Sequence, residues 1–376
     1  MKKVLILSIP TGGGHHQAAK AIQTYFNSRG DVDCRLLDIA ENVNGALAEA
    51  VSKGYILTTT AAPKLYGSLY ELFDQREHPS TEASKTLKFL SQVFRRKLYA
   101  YIKEFRPDVI VSTHLFASLT LNRIAKHHPI PAKLISIVTD FTLHPTWEQV
   151  KSDYFVIASE LLEYQAIKKW GTKEHVLSFG IPIHPKFAEK RPAQEARSVV
   201  GIENKFTVLI MMGSMGYGSQ AKDVIKQLDK LEFDFQILMV CGSNAKLKRR
   251  IERLKISKPI KVYGFVDNID VLMDAADCII TKPGGLSTSE ALAKRLPILM
   301  VNPIPGQEDR NKEFMLNNGI ALSISETYGV DEAVYQLISC PFKKKSLIEN
   351  TRHFAKPYAA RDLCEFIVSL CEEKDL

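Results

Sequence analysis

Three glycines and two histidines follow the first apolar run of the chain, in the order Thr11-Gly12-Gly13-Gly14-His15-His16. Glycine lets a backbone approach a ligand closely and adopt positive φ angles. A histidine beside such a loop can take a proton near neutral pH, so His15 or His16 is a candidate general base. A lone histidine more often caps or packs. The glycines favour the catalytic interpretation for one of the two.

A second glycine turn lies in residues 281–290 (TKPGGLSTSE), between an apolar run and a helical pattern. The free N–H groups of a helix N-terminus, with the hydroxyls of Ser287 and Thr288, suit a diphosphate. Glu290 could accept hydrogen bonds from a ribose diol. Its alternative role is a favourable charge near the helix N-terminus, worth about 0.3–1 kcal/mol.

Two weaker motifs end other apolar runs. Gly213-Ser214-Met215-Gly216-Tyr217-Gly218 predicts either a phosphate-facing loop or a tight turn. Pro303-Ile304-Pro305-Gly306-Gln307-Glu308 ends with two side chains that can hydrogen-bond a ligand. Taken alone, each of these segments is more typical of a surface loop.

Composition and charge limit the classes of protein to which the chain can belong. The chain has 376 residues, 45% hydrophobic and 24% charged, as expected for a globular protein of about two domains. No Lys-Ser/Thr follows its first glycines, so the sequence does not support hydrolysis of a nucleoside triphosphate. These glycines also do not match G-x-G-x-x-G, which weakens the hypothesis of a dinucleotide-binding site. The net charge of +8 favours an anionic partner, which could be a phosphorylated small molecule, an acidic membrane or a nucleic acid. Nucleic acid is disfavoured because no recognition motif is present.

The cysteines and the first apolar run predict a cellular compartment. Six scattered cysteines without a C-x-x-C pair argue against a disulfide framework or a zinc site. Cys241 and Cys278 lie inside apolar runs, which predicts that these two thiols are buried. We interpret the acidic triplet Asp31–Asp33 as a solvated turn rather than a metal site. The first apolar run is short and enters glycines directly, so it predicts a strand rather than a signal peptide. No apolar run reaches 18 residues. We expect a reduced, cytoplasmic protein.

Apolar runs alternate with helical patterns, which predicts an α/β fold with parallel sheets covered by helices. Because the runs are apolar throughout, both faces of each sheet should be buried. The pattern restarts after the proline- and charge-rich segment Ile181–Lys205, which we interpret as a linker. We therefore expect two Rossmann-like domains, 1–180 and 206–355, whose parallel sheets face an interdomain cleft. A C-terminal helix within 356–376 could cross back to the first domain.

Twelve strands and five helices carry this prediction. The predicted strands are Lys3–Ile9, Cys34–Leu37, Val109–Thr113, Leu134–Thr139, Phe155–Ala158, Val176–Phe179, Phe206–Met211, Phe235–Cys241, Ile260–Tyr263, Cys278–Thr281, Ile298–Val301 and Ala321–Ile324. The predicted helices include Gln17–Asn27, Leu115–Lys126, Gln220–Leu228, Ser287–Ala293 and a last helix at about Tyr358–Glu373.

The segment Lys64–Arg106 contains two amphipathic stretches and no strand pattern. A basic amphipathic helix can lie on an anionic bilayer. The alternative is a helix that faces the core and exposes a solvated basic side. The aromatic and basic residues that carry the membrane hypothesis are Tyr66, Tyr70, Phe94, Arg95 and Arg96.

Five motifs occur in one order along the chain: GGGHHQAA, TDFTLHPTW at Thr139–Trp147, GIPIHPKF at Gly180–Phe187, TKPGGLSTSEA and PGQE. Together they resemble the monogalactosyldiacylglycerol synthase and processive diacylglycerol β-glucosyltransferase family. That family belongs to the MurG-like GT-B glycosyltransferases of glycosyltransferase family 28. The resemblance extends over Lys2–Glu308 and implies a GT-B fold. It also implies a cytoplasmic enzyme that binds peripherally to the inner face of the cell membrane.

The resemblance assigns roles to individual residues. His15 matches the family's catalytic base, and Trp147 matches an aromatic residue near the acceptor entrance. The whole donor-binding set that it implies is Gly14, Gly213, Ser214, Gly264, Phe265, Val266, Lys282, Gly284, Gly285, Leu286, Ser287, Thr288, Glu290, Gln307 and Glu308. Within it, Phe265 and Val266 read uracil through their backbone, and Gln307 and Glu308 hold the hydroxyls of the sugar. The acceptor and membrane set is Tyr66, Tyr70, Phe94, Arg95, Arg96, His144 and Trp147.

The reaction implied is an inverting transfer of a hexose, with glucose expected, from a UDP-sugar to diacylglycerol or a glycosyl-diacylglycerol. His15 would take the proton of the acceptor hydroxyl, which attacks the anomeric carbon opposite UDP and leaves a β-linked glycolipid. N–H groups of the glycine loops and the helix dipole would stabilise the leaving diphosphate. No metal or other cofactor is expected. The expected partners are the UDP-sugar, a lipophilic acceptor and an anionic membrane surface.

Three alternatives stay open at this point. A MurG-like enzyme would transfer N-acetylglucosamine to a lipid-linked or other lipophilic acceptor. A UDP-N-acetylglucosamine 2-epimerase would share the two-domain fold but need no membrane contact. A non-catalytic UDP-sugar sensor would keep its function after replacement of His15 by alanine.

Overall fold

The computed structural model describes residues 1–9, 13–39, 95–212, 220–304 and 306–373. It divides into two compact units, each built on a sheet of six parallel strands. Unit 1 comprises Met1–Pro185, Ile304–Gln307 and Tyr358–Leu376, and unit 2 comprises Lys186–Pro303 and Glu308–Pro357.

Strands and helices alternate along the described chain. Up to Pro185 they are β1 (Lys2–Ser8), α1 (Gly14–Arg29), β2 (Val32–Asp38), α2 (residues 95–105), β3 (Val109–Ser112), α3 (Leu115–Ala125), β4 (Lys133–Ile137), β5 (Tyr154–Val156), α4 (Glu163–Trp170) and β6 (Val176–Leu177). The later elements are α5 (Ala193–Val200), β7 (Phe206–Met211), α6 (Ala221–Asp229), β8 (Phe235–Val240), α7 (Ala245–Glu252), β9 (Ile260–Tyr263), α8 (Ile269–Ala275), β10 (Cys278–Thr281), α9 (Gly285–Ala293), β11 (Ile298–Met300), α10 (Gln307–Asn317), β12 (Ala321–Ser323), α11 (Val330–Ser339), α12 (Pro341–Phe354) and α13 (Ala359–Glu373). Short 3₁₀ helices are Pro145–Gln149, Glu160–Leu162 and Pro185–Phe187.

The sheet of unit 1 has the strand order β2-β1-β3-β4-β5-β6. The chain first places β2 on one side of β1 and then returns to place β3 on the other side. Connections that leave β1 and β3 therefore run in opposite directions and open a crevice at the carboxyl ends of these strands. Ligands of such sheets bind at this kind of switch point.

Successive residues of β1 point to opposite faces of the sheet, and both faces are buried. Val4 and Ile6 belong to a core cluster with α1 and α13, which includes Ile22 and Ile367. Leu5 and Leu7 join a second cluster with α2 and α3. This arrangement confirms the prediction, drawn from continuous apolar runs, that both faces of the sheet are covered.

The last helix, α13, completes the first of these two clusters. Its buried face packs on α1, where the Cys364 side chain lies against the backbone of Ile22. Glu365 of α13 accepts hydrogen bonds from Tyr25 and Arg29 of α1 at 2.8 Å and 2.5 Å. The helix therefore supplies both apolar and polar contacts to unit 1.

The sheet of unit 2 repeats the topology, with the order β12-β11-β10-β7-β8-β9. Strands β8 and β9 extend one side of β7, and β10, β11 and β12 extend the other. The switch point thus lies between β7 and β10. The segments that follow these two strands begin at Met212 and Lys282, where the sequence carries the glycine motifs 213–218 and 281–290.

The segment interpreted as a linker, Ile181–Lys205, contains the helix α5 and is anchored in unit 2. The buried guanidinium of Arg197 forms an ion pair with Asp277 at 2.6 Å and donates to the Ala275 carbonyl. An eight-residue helix with so few apolar positions gives little periodicity, which is why the sequence pattern indicated only a linker.

A fully buried ion pair ties the same segment to α8 and α9. Lys294 and Asp274 are joined at 2.7 Å, and their side chains are 1% and 0% exposed. Lys294 also donates to the Glu189 carbonyl, and the Arg191 N–H donates to Asp274 at 3.2 Å. The two charges thus fix residues 189–191 against unit 2.

Each of the twelve predicted strands is present, three of them with the predicted bounds, at Phe206–Met211, Ile260–Tyr263 and Cys278–Thr281. Most of the others end before the predicted residue, because the apolar run continues into a buried loop. Ile9 and Val301 are examples of such buried residues beyond a strand end. The predicted burial of Cys241 and Cys278 is confirmed. No helix among the described residues has the length and apolar character needed to cross a membrane.

Replacement of Lys294 by methionine should lower the free energy of unfolding by about 3–5 kcal/mol, because Asp274 would remain buried without its cation. Urea unfolding followed by circular dichroism measures this change. The matched control is Lys205→Met, whose partner Asp234 is 80% exposed and whose loss should cost less than about 1 kcal/mol. Equal losses in the two variants would contradict a special role of the buried pair.

Candidate active site

His15 lies in the first turn of α1, directly beyond the carboxyl end of β1. The helix begins at Gly14, after Gly13, which has a φ of 80° that favours glycine. Two other loops of unit 1 approach the same place, one after β3 and one after β4. They bring Thr113 and Thr139 to the imidazole, at the switch point of the sheet.

The hydrogen bonds of His15 define its tautomer. Its Nδ1 lies 2.8 Å from the carbonyl oxygen of Thr113 and 2.8 Å from the hydroxyl oxygen of Thr139. A carbonyl oxygen can only accept, so Nδ1 carries the proton and donates it to Thr113. In the neutral ring Nε2 then has an unprotonated lone pair and can act as a base.

Burial lowers the pKa of His15 below its ordinary value, because water is excluded from the imidazolium form. The negative charge of Asp140 and the hydrogen bond to Thr113 oppose this shift. Because the net shift of the pKa is downward, His15 stays neutral at neutral pH. A neutral imidazole with a free Nε2 is the form that a general base requires.

His114 is a second histidine in contact with the first. The two rings are 4.5 Å apart between centroids and meet edge to face. His114 Nδ1 accepts the N–H of Phe116 at 3.1 Å and so caps α3. Burial, followed by the charge of His15, lowers the pKa of His114 well below its ordinary value. A neutral His114 adds no positive charge beside the candidate base.

Unit 2 carries a second candidate site, where β10 leads through Lys282 and Gly284 into α9. The N-cap residue of α9, Gly284, makes no side-chain capping hydrogen bond. Gly284 has a φ of −77°, and a Cβ there would meet only the Glu308 carboxylate, at 3.9 Å. Neither the backbone angle nor this contact requires glycine at the position. The close approach of a ligand to Gly284 stays a prediction.

The turn before α9 is held by α10. Asn311, which is buried, donates its amide to the carbonyl of Pro283 at 3.0 Å. Burial lowers the pKa of Lys282, and the nearby charge of Glu308 opposes that shift. The first turn of α10 therefore places the Glu308 carboxylate beside the glycine turn. This position agrees with the prediction, drawn from the PGQE motif, that Glu308 holds a donor sugar.

Glu290 lies one and a half turns into α9 and is half-buried. Burial raises its pKa to about 8, while the charge of Lys186 lowers it and that of Asp270 raises it. The carboxyl group is thus mainly protonated at neutral pH and can donate as well as accept a hydrogen bond. A ligand hydroxyl could satisfy either function.

Phe265 is the exposed residue of the loop that follows β9. Its side chain is 65% exposed, an unusual state for a phenylalanine. Gly264 before it has room for a Cβ, with its nearest neighbours 3.8 Å away. An exposed aromatic ring suits contact with a planar base. Val266 follows it and is half-buried.

The remaining predicted donor residues lie in α9 and α10 or outside the described ranges. Thr288 is fully buried, and its hydroxyl has no hydrogen-bond partner among the described residues. Leu286 and Ser287 are half-buried in the first turn of α9, while Gly285 is buried. Gln307 begins α10. The predicted residues that lie outside the described ranges are Tyr66, Tyr70, Phe94, Gly213 and Ser214.

The predicted acceptor residues of unit 1 belong to two regions. Trp147 is only 5% exposed, and its carbonyl accepts the indole N–H of Trp170 at 3.0 Å. His144 caps the same 3₁₀ helix through its Nδ1, which accepts from Thr146. Arg95 and Arg96 lie at the start of the described part of α2, with Arg96 exposed. Their roles toward an acceptor stay predictions.

Sequence reasoning missed Thr113, His114, Thr139 and Asp140 as residues around His15. The sequence did contain a signal for these residues. Thr113 and His114 directly follow one apolar strand, and Thr139 and Asp140 directly follow the next. Parallel strands end at one edge of a sheet, so polar residues at these positions gather near each other.

No group of three or more metal-ligating side chains comes together among the residues that the structure describes. Asp31 and Asp33 of the acidic triplet pair with Arg29 and Arg35, at 2.8 Å and 3.4 Å.

Solved structures share this two-unit architecture. MurG of Acinetobacter baumannii matches with a TM-score of 0.63 and 16% identity, over 98% of this chain and 100% of that one. A UDP-GlcNAc 2-epimerase of Neisseria meningitidis, bound to UDP-GlcNAc, matches with a TM-score of 0.59 and 15% identity, over 98% and 100% of the two chains. At these identities the likeness defines the fold. The chain has the GT-B fold of two Rossmann-like domains.

The sequence relationship defines the chain more closely. Residues 15–183 match the monogalactosyldiacylglycerol synthase family, and residues 192–354 match glycosyl transferases group 1. A processive diacylglycerol β-glucosyltransferase of Bacillus pumilus is 28% identical over 378 residues, which cover 100% of this chain and 96% of that protein. The chain is a glycosyltransferase. Its N-terminal half carries the monogalactosyldiacylglycerol synthase match, and its C-terminal half carries the glycosyl transferases group 1 match.

Replacement of Glu290 by glutamine should stabilise the ligand-free protein above about pH 5. The folded pKa of about 8 exceeds the unfolded value, so the wild type binds the proton more tightly when folded. Its stability therefore falls as pH rises from the unfolded pKa to the folded one, and glutamine removes that loss. We expect a gain of about 4 kcal/mol at pH 8 and almost none at pH 4.

Urea unfolding at several pH values measures this difference. The matched control is Glu313→Gln, which removes an exposed carboxyl group from α10. A constant difference between Glu290→Gln and the wild type at all pH values would contradict the raised pKa.

Proposed function

We propose that the protein transfers glucose from UDP-glucose to the hydroxyl of diacylglycerol, or of a glycosyl-diacylglycerol, with inversion at the anomeric carbon. The observation that carries the proposal is the fixed tautomer of His15 within a monogalactosyldiacylglycerol synthase domain. The name of the Bacillus pumilus relative supports glucose and diacylglycerol. The UDP-GlcNAc held by the epimerase of the same fold supports a UDP-sugar donor.

In the proposed reaction, Nε2 of His15 removes the proton of the acceptor hydroxyl as its oxygen attacks the anomeric carbon. The bond from that carbon to the UDP oxygen breaks on the opposite face, so an α-linked donor gives a β-glycoside. The proton on Nδ1 stays hydrogen-bonded to Thr113. Asp140 stabilises the imidazolium that forms, since its charge favours the protonated ring.

The donor would be held by unit 2. The uncapped N-terminus of α9 and the turn at Gly284 offer N–H groups to the diphosphate, where the leaving charge develops. Glu290 would bind the ribose hydroxyls, and Gln307 and Glu308 would bind those of the sugar. Phe265 would lie beside the uracil. These contacts need no metal ion to stabilise the leaving group.

The acceptor lipid would be taken from an anionic membrane surface on the inner face of the cell membrane. The net charge of +8 favours attraction to such a surface, by about 1 kcal/mol for each well-placed basic residue. The basic residues Arg95 and Arg96 of α2 are candidates for this contact.

Two alternatives differ in their products. MurG-like transfer of N-acetylglucosamine would require UDP-GlcNAc and a different lipid acceptor. A 2-epimerase would change the sugar of UDP-GlcNAc without a lipid, and a UDP-sugar sensor would give no product.

Purified protein should be mixed with vesicles that contain diacylglycerol and with UDP-glucose, UDP-galactose or UDP-GlcNAc separately. UDP release and lipid mass are measured together. A gain of one or more hexose masses with UDP-glucose supports the proposal and counts the sugars added. Lipid modification only with another donor would overturn the choice of glucose. UDP release without lipid modification would overturn diacylglycerol as acceptor.

Replacement of His15 by alanine should lower kcat by about 10²–10⁴-fold, the usual contribution of a general base, and leave UDP affinity unchanged. His353→Ala is the matched control, since its side chain is 71% exposed. Turnover and UDP affinity are measured on the same preparations. Turnover of His15→Ala at the wild-type rate would exclude His15 as the base and favour a sensor or another mechanism.

Replacement of Asp140 by asparagine should shift the acid limb of the kcat/KM profile to lower pH. The carboxylate raises the pKa of His15, so its removal leaves a base that stays neutral to a lower pH. The wild-type limb should itself lie below the ordinary histidine value, because burial lowers that pKa. A loss of rate without any shift of the limb would show that Asp140 acts on structure alone.

A further inference from the structure

Four serine hydroxyls of unit 1 form a continuous line of hydrogen bonds beneath α3, which we call the serine row. Ser112 ends β3, Ser118 lies in α3, Ser136 lies in β4, and Ser152 precedes β5. Consecutive hydroxyl oxygens are 2.9 Å, 2.8 Å and 2.6 Å apart. The first three side chains are at most 1% exposed, and that of Ser152 is half-buried.

The register of the sheet brings these side chains together. Ser112 and Ser136 are paired in neighbouring strands, so their side chains point to the same face. Ile110 and Leu134, two residues earlier in each strand, belong to the apolar cluster that α3 covers on this face. Ser118 of α3 bonds both serines. The face beneath α3 therefore changes from aliphatic side chains to hydroxyls toward the carboxyl end of the strands.

The last acceptor of the serine row sets the direction of every bond in it. The Ser112 hydroxyl lies 3.0 Å from the carbonyl oxygen of His114, which can only accept. Because a hydroxyl has one hydrogen, Ser112 must accept from Ser118, and each later serine must donate to the one before it. Hydrogen bonds aligned in this way polarise and strengthen each other. A row that ends on a carbonyl group passes no proton to His15, so its effect is on position.

The carbonyl group of His114 belongs to the turn that holds the candidate base. The carbonyl of Thr113, one residue earlier, accepts from Nδ1 of His15 at 2.8 Å, and the two histidine rings are in contact. The His114 carbonyl also accepts the N–H of Ser118 at 3.2 Å. The serine row and the first turn of α3 thus fix the same peptide group, directly after the carbonyl that sets the tautomer of His15.

The outer end of the serine row is anchored by its neighbours in the chain. The side-chain amide of Asn122 in α3 bonds both the carbonyl and the N–H of Lys151, at 2.5 Å and 2.7 Å. Asp153 accepts the N–H of Leu134 at 2.8 Å. These bonds hold Ser152 from both sides, so the row joins two fixed points of unit 1.

The stability of the fold does not require these buried hydroxyls. Burial of a hydroxyl has a cost that its hydrogen bonds offset, and replacement of all partners by apolar groups is nearly neutral. Aliphatic side chains at these positions would continue the face that Ile110 and Leu134 begin. A line of buried hydroxyls that ends at the turn beside His15 therefore points to a role in the reaction.

We propose that Ser112, Ser118 and Ser136 are positioning residues for the candidate base. They hold the turn at Thr113 and His114, so that His15 keeps its proton on Nδ1 and presents Nε2 to the acceptor hydroxyl. The proposal rests on the function proposed above, in which His15 is the general base.

The test compares Ser118→Ala with the triple variant Ser112→Ala/Ser118→Ala/Ser136→Ala. The single variant leaves the buried Ser136 hydroxyl without its acceptor, whereas the triple variant removes every buried hydroxyl of the row. The thermal unfolding midpoint should therefore fall in the single variant and return close to the wild-type value in the triple variant. In both, kcat should fall by about tenfold with KM unchanged, since a misplacement of about 1 Å can cost about 100-fold.

The tautomer of His15 is measured from the ¹⁵N chemical shifts of its ring in protein labelled at histidine, with His15→Ala to assign the signals. The wild type should carry the hydrogen on Nδ1, and both serine variants should show a mixture of the two tautomers. The matched control is Thr120→Val, which removes a buried hydroxyl of the same helix that donates to the Phe116 carbonyl at 2.8 Å. It should keep the wild-type kcat and tautomer.

Recovery of kcat together with the unfolding midpoint in the triple variant would show that the serine row acts on stability alone, and would overturn the proposal. A wild-type tautomer in both variants would overturn it as well. The ring shifts need no turnover, so they test the serine row even if His15→Ala stays active and the proposed function fails. Ser118→Ala gives the same comparison of tautomers should the triple variant not fold.

Discussion

The strand order of each sheet changes direction beside its first strand, β1 in unit 1 and β7 in unit 2, and the candidate site of each unit depends on this constraint. At such a point the connections diverge, and the carboxyl ends of the strands stay accessible. In unit 1 the divergence brings His15, which follows β1, to Thr113, which follows β3. In unit 2 the turn at Gly284, which leads from β10 into α9, follows one of the two strands at this point. The chemistry is therefore placed by topology before any side chain contributes.

The decisive contact of unit 1 comes from the backbone. The carbonyl of Thr113 fixes the tautomer of His15, and its own position is set by the hydrogen bond from the Thr113 N–H to Leu7, at 3.1 Å. A substitution at Thr113 that preserves the strand leaves this carbonyl in place. Side chains then adjust the base: Thr139 contacts the same nitrogen, and Asp140 opposes the effect of burial on the pKa.

Much of this arrangement could be predicted from the sequence, and the remainder depends on tertiary contacts. Continuous apolar runs predict the strands, and the glycines locate the turns at His15 and Gly284. Helix α5 was missed because eight residues anchored by Arg197 carry too little periodicity. Thr113 was missed because it contributes a carbonyl group, which every residue type possesses. The pKa of Glu290 was also beyond reach, since it arises from burial within the folded unit.

Helix α13 has a consequence for the synthesis of the chain. Its residues Leu363 and Ile367 share a cluster with Val4 and Ile6 of the first strand, although the whole of unit 2 is translated between them. A ribosome releases the N-terminal end first, so the part of the unit 1 sheet that α13 covers, beside α1, stays exposed until unit 2 has been translated. During that interval the nascent chain exposes aliphatic side chains on a parallel sheet, a surface that chaperones recognise and that aggregates readily. Completion of the first unit is thus among the last events of folding.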